Sequence, residues 1–469
     1  MSPRRVWIRI GVAVCALLLA APLRAQTDPP LVVDHVSVVD VRSGAVASDQ
    51  RVVVAGDRIE SVGASPAARA PAGATAVDGR GLFLIPGLWD MHVHLAFGDW
   101  FPRSGEIVLP LLVANGVTGV RDLGSELDVV QGWRRDIEAG RRTGPRIVTS
   151  GPMLDGPKPR FPSSIAVATP EDGRRAVIDL KRRGADFIKL QSLIPRDAVL
   201  AIAAEARAQH IPFEGHVPDA MRAAEMSELG MRSFEHLIGI FEASSPDEAE
   251  LMKGGKTLTR LLAHYDPART AKLASVLAAH RTWQCPTLVW ERGGNLLDQT
   301  DFAADPRARY APASWKNGSW RRFTDEIRAG YANDPLDTRK RFLETELQLV
   351  QQLHRAGVPF LAGTDTPAGV YIFPGFSLHE ELARFVAAGF SPLEALQTAT
   401  LNPARFLERE ADLGSVEPGK RADLLLLAAN PLADIANTQK IAGVIAAGRY
   451  LDRARLDALL SGAEAAAAN

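Results

Sequence analysis

The feature that most constrains this chain is a rhythm of strand, helix and strand running through its middle. Gly116 to Leu123 and Arg146 to Ser150 read as β-strands. Thr169 to Gly184 reads as a helix, with Thr169 as N-cap, Pro170 in the first turn and Gly184 as the stop. Asp186 to Leu190 is strand and Arg196 to Gln209 is an Ala-rich helix. Ile211 to His216 is strand, Ala220 to Gly230 helix, and Ser233 to His236 strand again. Alternation with short loops calls for parallel βαβ units. Carried over roughly 300 residues, it favours a (β/α)8 TIM-like barrel over a doubly wound sheet. No glycine-rich phosphate fingerprint follows an early strand to argue otherwise.

The two ends have a different texture. Leu31 to Leu84 is built of short alternating runs separated by Gly and Asp turns, which predicts a small antiparallel β unit. Asp423 to Leu427 and Ala442 to Ala446 repeat that texture near the C-terminus. The expectation is a composite β-sandwich of 26–86 and 412–469 around a barrel at 87–411. Between His236 and Phe360 the rhythm is lost, and an insertion on the barrel rim at about 239–345 is expected, either a lid or a packing excursion. The tail Ala463 to Ala468 is low in complexity and expected to fray.

Met1 to Ala25 has the make-up of a cleaved secretory signal: Arg4, Arg5 and Arg9, then an apolar run from Ile10 to Ala21, then Leu23-Arg24-Ala25. The run is shorter than the ~20 residues that a spanning helix needs, so no stable membrane insertion is expected after cleavage. Arg4-Arg5 also matches a twin-arginine signal, and a secreted or periplasmic protein is the reading. Its removal takes four arginines and no acids, leaving 50 basic against 55 acidic residues. That balance excludes the basic face of a nucleic-acid binder. One of the two cysteines leaves with the signal, so there is no disulfide framework. Cys285, in an apolar strand-like stretch, is expected to be buried and inert.

Chemistry concentrates at strand ends. Ile85-Pro86-Gly87-Leu88-Trp89-Asp90-Met91-His92-Val93-His94 closes an apolar strand, and alternation turns His92 and His94 the same way, so both can grip one metal ion. Lys189, His216 and His236 each end a predicted barrel strand, and Asp365 ends the run from Pro359 to Thr364. Catalytic groups of (β/α)8 enzymes gather at that end. Burying such a cluster without compensation is costly, whereas metal ions would neutralise and organise it.

Together these motifs resemble the amidohydrolase superfamily, in particular its imidazolonepropionase-like and prolidase-like branch. The similarity includes Pro-Gly-Leu-Trp-Asp-Met-His-Val-His, Gly-Val-Thr-Gly-Val-Arg-Asp at 116–122, Gly-Ala-Asp-Phe-Ile-Lys at 184–189 and Gly-Thr-Asp-Thr-Pro at 363–367. It runs on through Gly-Ser-Val-Glu-Pro-Gly-Lys-Arg-Ala-Asp at 414–423. The resemblance implies two divalent metal ions, usually zinc. His92, His94 and Asp365 would hold one and His216 and His236 the other, with N6-carboxylated Lys189 bridging them. A free ammonium cannot ligate a cation, because it has donors and no acceptor. The implied chemistry is attack of a metal-bridging hydroxide on an amide, with Asp365 as acid and base.

Around this set, Asp90, Arg121 and Asp122 read as supporting groups and His379 as helix-start packing. Strand alternation turns Glu235 away from the face of His236, toward a structural role, and puts Glu214 on His216's face as a buried filler. His35, His210, His264, His280 and His354 read as surface or core residues. Arg321 and Arg322 could hold a carboxylate or form a solvated face, and Trp315 and Trp320 could wall an acyl pocket or make lid core. The substrate class is open: a small peptide, N-acyl amino acid or cyclic amide first, then a lactone or ester, or decarboxylation, with an inert binding protein last. A homo-oligomer is expected.

Overall fold

The computed structural model describes residues 29–65, 71–254, 256–302 and 304–468. The segment read as an export signal lies outside them. Five strands open the described chain: β1 (Leu31–Val39), β2 (Val46–Ala55), β3 (Arg58–Ala64), β4 (Thr75–Asp78) and β5 (Phe83–Pro86). Then come β6 (Leu88–Val93), β7 (Val117–Asp122), β8 (Arg146–Thr149), β9 (Met153–Asp155) and β10 (Ser164–Ala166). The series continues with β11 (Ile188–Leu190), β12 (Phe213–Gly215), β13 (Ser233–Glu235) and β14 (Trp283–Cys285). It ends with β15 (Leu424–Leu427), β16 (Ile441–Ala446) and β17 (Arg449–Asp452).

Both ends of the chain enter one eight-stranded sheet, ordered β17-β16-β15-β5-β1-β2-β3 with β4 on β1. The seam is the antiparallel pair β5 and β15, with Ile85 opposite Leu425. The N-terminal part is not purely antiparallel, as its alternation suggested: β1 runs parallel to β4 and β5. Alternation records which side chains are buried, and says nothing about strand direction.

The middle is a TIM-barrel-like α/β arrangement. β6-β7-β8 and β10-β9-β11-β12-β13-β14 are two sheets in which every pairing is parallel. Every residue of β6 and β7 is buried, as parallel strands covered on both faces must be. Asp186 N donates to Thr149 O between the two sheets. Residues 359–366 lie beside both: Gln284 N of β14 donates to Pro359 O, Met91 N of β6 donates to Ala362 O, and Val93 bridges Thr366 in parallel. Flanking helices follow their sequence signals. Pro170–Arg182 starts on a capping box of Thr169 and Asp172 and buries Gly173, Ala176, Val177 and Leu180, a helical stripe.

Two expectations change. The stretch 239–345 is interrupted by β14, which belongs to the parallel sheet, so additions to the barrel lie on either side of it. The tail does not fray: Arg453–Ala468 is helical and buries Ala463, Ala466 and Ala467, and Arg103 Nη1 donates to Ala466 O at 2.7 Å. Small side chains let this helix lie close to its neighbour, Ser104–Ala114.

Candidate metal centre

The site is assembled at the C-terminal ends of the parallel strands. His92 lies in β6 and His94 just past it, and extended backbone sends both imidazoles to one side. Asp365 is delivered by the run that follows Phe360; its N–H donates to His92 O at 2.8 Å. It is held at φ 65, and His236 at φ 59, conformations that cost a non-glycine residue on the order of 1–3 kcal/mol and concentrate at functional sites.

Each of the four histidines engages Nδ1 with a supporting partner. His92 donates to Glu235 Oε2 at 2.8 Å and His94 to Gly124 O at 3.1 Å. His216 pairs with Ser192 Oγ at 2.9 Å and His236 with Thr287 Oγ1 at 2.6 Å. The first two partners are acceptors, so in the neutral rings of His92 and His94 each Nε2 carries a lone pair. Asp365 Oδ1 lies 3.0 Å from His94 Nε2 and 3.4 Å from His92 Nε2. Acceptor therefore faces acceptor. His92 Nε2 and Asp365 Oδ1 are both buried without a hydrogen-bond partner, as is Lys189 Nζ.

A proton is the poorer filling for that gap. Burial pushes the His92 imidazole down to about 4 and His236 to about 3, and drives His216 well below its ordinary value. Burial works to raise Asp365, but His92, His94 and His236 hold it below the usual carboxylate range. Neutral imidazoles and an ionised carboxylate are the states that ligate divalent metals. His92, His94 and Asp365 offer ligand atoms within 4.8 Å of one another, and the donor set fits a metal ion. The rings of His92 and His236 stand 4.6 Å apart and those of His216 and His236 5.0 Å. Lys189 is wholly buried beside them, and a Cβ on Gly215 would press its Cδ at 2.7 Å. Burial lowers the Lys189 amine to about 8.

Beneath these groups lies a charged layer. Arg121, fully buried, donates to Met91 O, to Glu214 Oε2 at 2.6 Å and to Glu235 Oε1 at 2.9 Å. Glu214 is the buried filler expected of it. Glu235 corrects the alternation argument: β13 ends at Glu235 and the positive φ of His236 turns the chain, so Glu235 supports His92 while His236 reaches the same centre. Asp90 accepts from Thr364 N and Oγ1, and Asp122 from Leu95 N, tying the loops to β6 and β7. His379 packs in its helix between Asn115 O and Thr438 Oγ1. Sequence reasoning passed over Ser192 and Thr287; both sit beyond strand ends, but neither residue type is rare enough to stand out.

Trp315 and Trp320 belong to the core. Both are fully buried, donating their indole N–H groups to Pro102 O and Pro367 O at 3.0 Å. Arg321 and Arg322 are exposed, Arg322 stacking over Trp100.

A TIM-barrel-like fold with imidazoles and a carboxylate converging at its C-terminal face defines a class of metal-dependent hydrolases. The chain belongs to the amidohydrolase family, whose model matches residues 83–451. An adenine deaminase of Rubrobacter xylanophilus is 24% identical over 446 residues, 92% of this chain. The match spans 59% of that deaminase's own length. An ochratoxinase of Aspergillus niger is 24% identical over 412 residues, 75% of this chain and 71% of its own. Among solved structures, a prolidase-like protein of Bifidobacterium longum is 29% identical with a TM-score of 0.67, covering 93% of this chain and 99% of that one.

Proposed function

We propose that the chain hydrolyses a carbon–nitrogen bond, the amide of a small peptide, N-acyl amino acid or cyclic amide, with two divalent metal ions. The observation carrying this reading is the meeting of acceptors at 3.0 and 3.4 Å between Asp365 and the two histidines. His92, His94 and Asp365 would hold one ion and His216 and His236 the other. Lys189 would bridge them as its carbamate, a reading supported by its orphaned, desolvated amine. Zinc suits this nitrogen and oxygen donor set. Such ions, when bound, supply a water that ionises near neutral pH and polarise the scissile carbonyl.

The protein's own groups do the rest. Asp365 takes the proton of the attacking water and delivers it to the leaving nitrogen. Glu235 fixes the tautomer and ring angle of His92, and Thr287 and Ser192 orient the rings of His236 and His216. The reading also has the parallel strands close into a full barrel through residues 359–366, with the two-ended sheet as the β-sandwich domain beside it. The backbone bonds of that run to β6 and β14 support it.

The test is turnover by the full chain on a panel of Xaa-Pro dipeptides, N-acyl amino acids, cyclic amides, adenine and lactones, with products identified. Amide turnover that chelation abolishes and zinc restores is expected. Turnover confined to lactones overturns the carbon–nitrogen assignment.

A further inference from the structure

The first N–H groups of a helix have no partner within it, and the side chain of the residue just before the first turn commonly supplies an acceptor. The helix Leu288–Asn295 starts shortly after β14, and Thr287 precedes it, a residue type well suited to that task. Thr287 does not perform it: its side chain makes no capping bond to the helix. Its Oγ1 lies instead 2.6 Å from His236 Nδ1. The hydroxyl that would cap the helix is spent on a candidate metal ligand.

A different helix supplies the missing acceptors. Glu381, fully buried in the helix Phe376–Ala387, accepts from Leu288 N at 3.0 Å through Oε1 and from Val289 N at 2.8 Å through Oε2. A carboxylate placed there also suits the positive end of the helix dipole. Thr287 itself stands at φ 50, in the left-handed region, where a β-branched residue persists only when its surroundings hold it. Glu381 holds the two residues that follow it, so the strained turn and the hydroxyl it carries are fixed from outside their own element. The Leu378-His379-Glu380-Glu381-Leu382 stretch thereby reaches the metal centre through one intermediary.

We propose that Glu381 is a positioning residue for the ion assigned to His216 and His236: by capping the helix in place of Thr287, it frees the Thr287 hydroxyl to orient His236. This rests on the two-ion reading above. Zinc retention by the purified full chain, measured by chelator competition, tests it. Wild type is expected to keep two equivalents. Glu381→Gln has the same shape with one acceptor fewer, and it lowers the affinity for one ion by about tenfold or more while leaving the other unchanged. Thr287→Val exchanges the hydroxyl for a methyl, gives the same selective loss, and serves if Glu381→Gln does not fold. The double variant loses no more than the larger single loss, because both changes act through one contact. Ser391→Ala removes the capping side chain of the helix Pro392–Thr398; it lowers stability and leaves both ions in place. Wild type that retains fewer than two ions overturns the two-ion reading and this inference with it. Two ions held equally by wild type and Glu381→Gln, or losses that add in the double variant, overturn the role of Glu381 alone.

Discussion

Glu235 accepts a hydrogen bond from His92 Nδ1 at 2.8 Å through one oxygen and from Arg121 at 2.9 Å through the other. It couples the ligand set to the charged layer under it. With Nδ1 committed, only Nε2 of His92 is left to face Asp365.

Glu235→Gln should therefore weaken metal retention without disturbing the ligands themselves. Losing such a partner lowers metal affinity by roughly 10–100-fold. Competition with a chelator at fixed free zinc measures this; unchanged affinity would mean that Glu235 serves only the fold.

Asp365→Asn keeps the shape of the side chain and removes the proton acceptor. Turnover should fall by at least about 10²–10⁴-fold, the range ascribed to general acid–base catalysis, while circular dichroism stays as in the wild type. Near-normal turnover by a properly folded variant would remove Asp365 from the chemistry.

Lys189 gives a pH dependence. Its amine lies at about 8, lowered by burial, and only the neutral amine reacts with carbon dioxide. At a fixed concentration of dissolved carbon dioxide, reactivation of metal-free enzyme by zinc should speed up as pH rises through 8 and level off above it. A rate independent of pH over that range speaks against the carbamate.

Arg121 is enclosed with two carboxylates, so Arg121→Met should cost about 3–5 kcal/mol in denaturant unfolding by stranding buried charge. Burial works to raise Glu235, but Arg121, then His92, draw it below its ordinary range. The stability from that shift is present above the unfolded glutamate value near ~4.3 and is lost as pH falls below it. The variant should lack this loss in acid.

Trp320 ties the helix Ser319–Gly330 to the loop after Asp365 through Pro367 O. Trp320→Phe should lower stability by about 1 kcal/mol and raise KM more than it lowers kcat. A fall in kcat alone would place Trp320 closer to the reaction than its packing implies.

The convergence of the candidate ligands was legible because strand ends can be read from apolar runs, and His92, His94, Lys189, His216, His236 and Asp365 all fall at such ends. The layer beneath them was not. Arg121, Glu214 and Glu235 lie 93 and 114 residues apart along the chain, and only the curl of the parallel strands brings them together. Glu235 was misjudged for a local reason: alternation holds only while the strand continues, and β13 stops one residue before His236. β14 was read as strand-like around Cys285, but three residues inside a helical stretch were too few to mark it as a strand of the parallel sheet.

The central claim is that buried acceptors meet at this site because metal ions sit between them. Metal content of the purified full chain, measured alongside turnover before and after chelation, tests it most directly. The account predicts about two equivalents per chain, activity lost on stripping and regained with zinc, and depleted metal in Asp365→Asn. Full turnover by protein free of bound metal would contradict it.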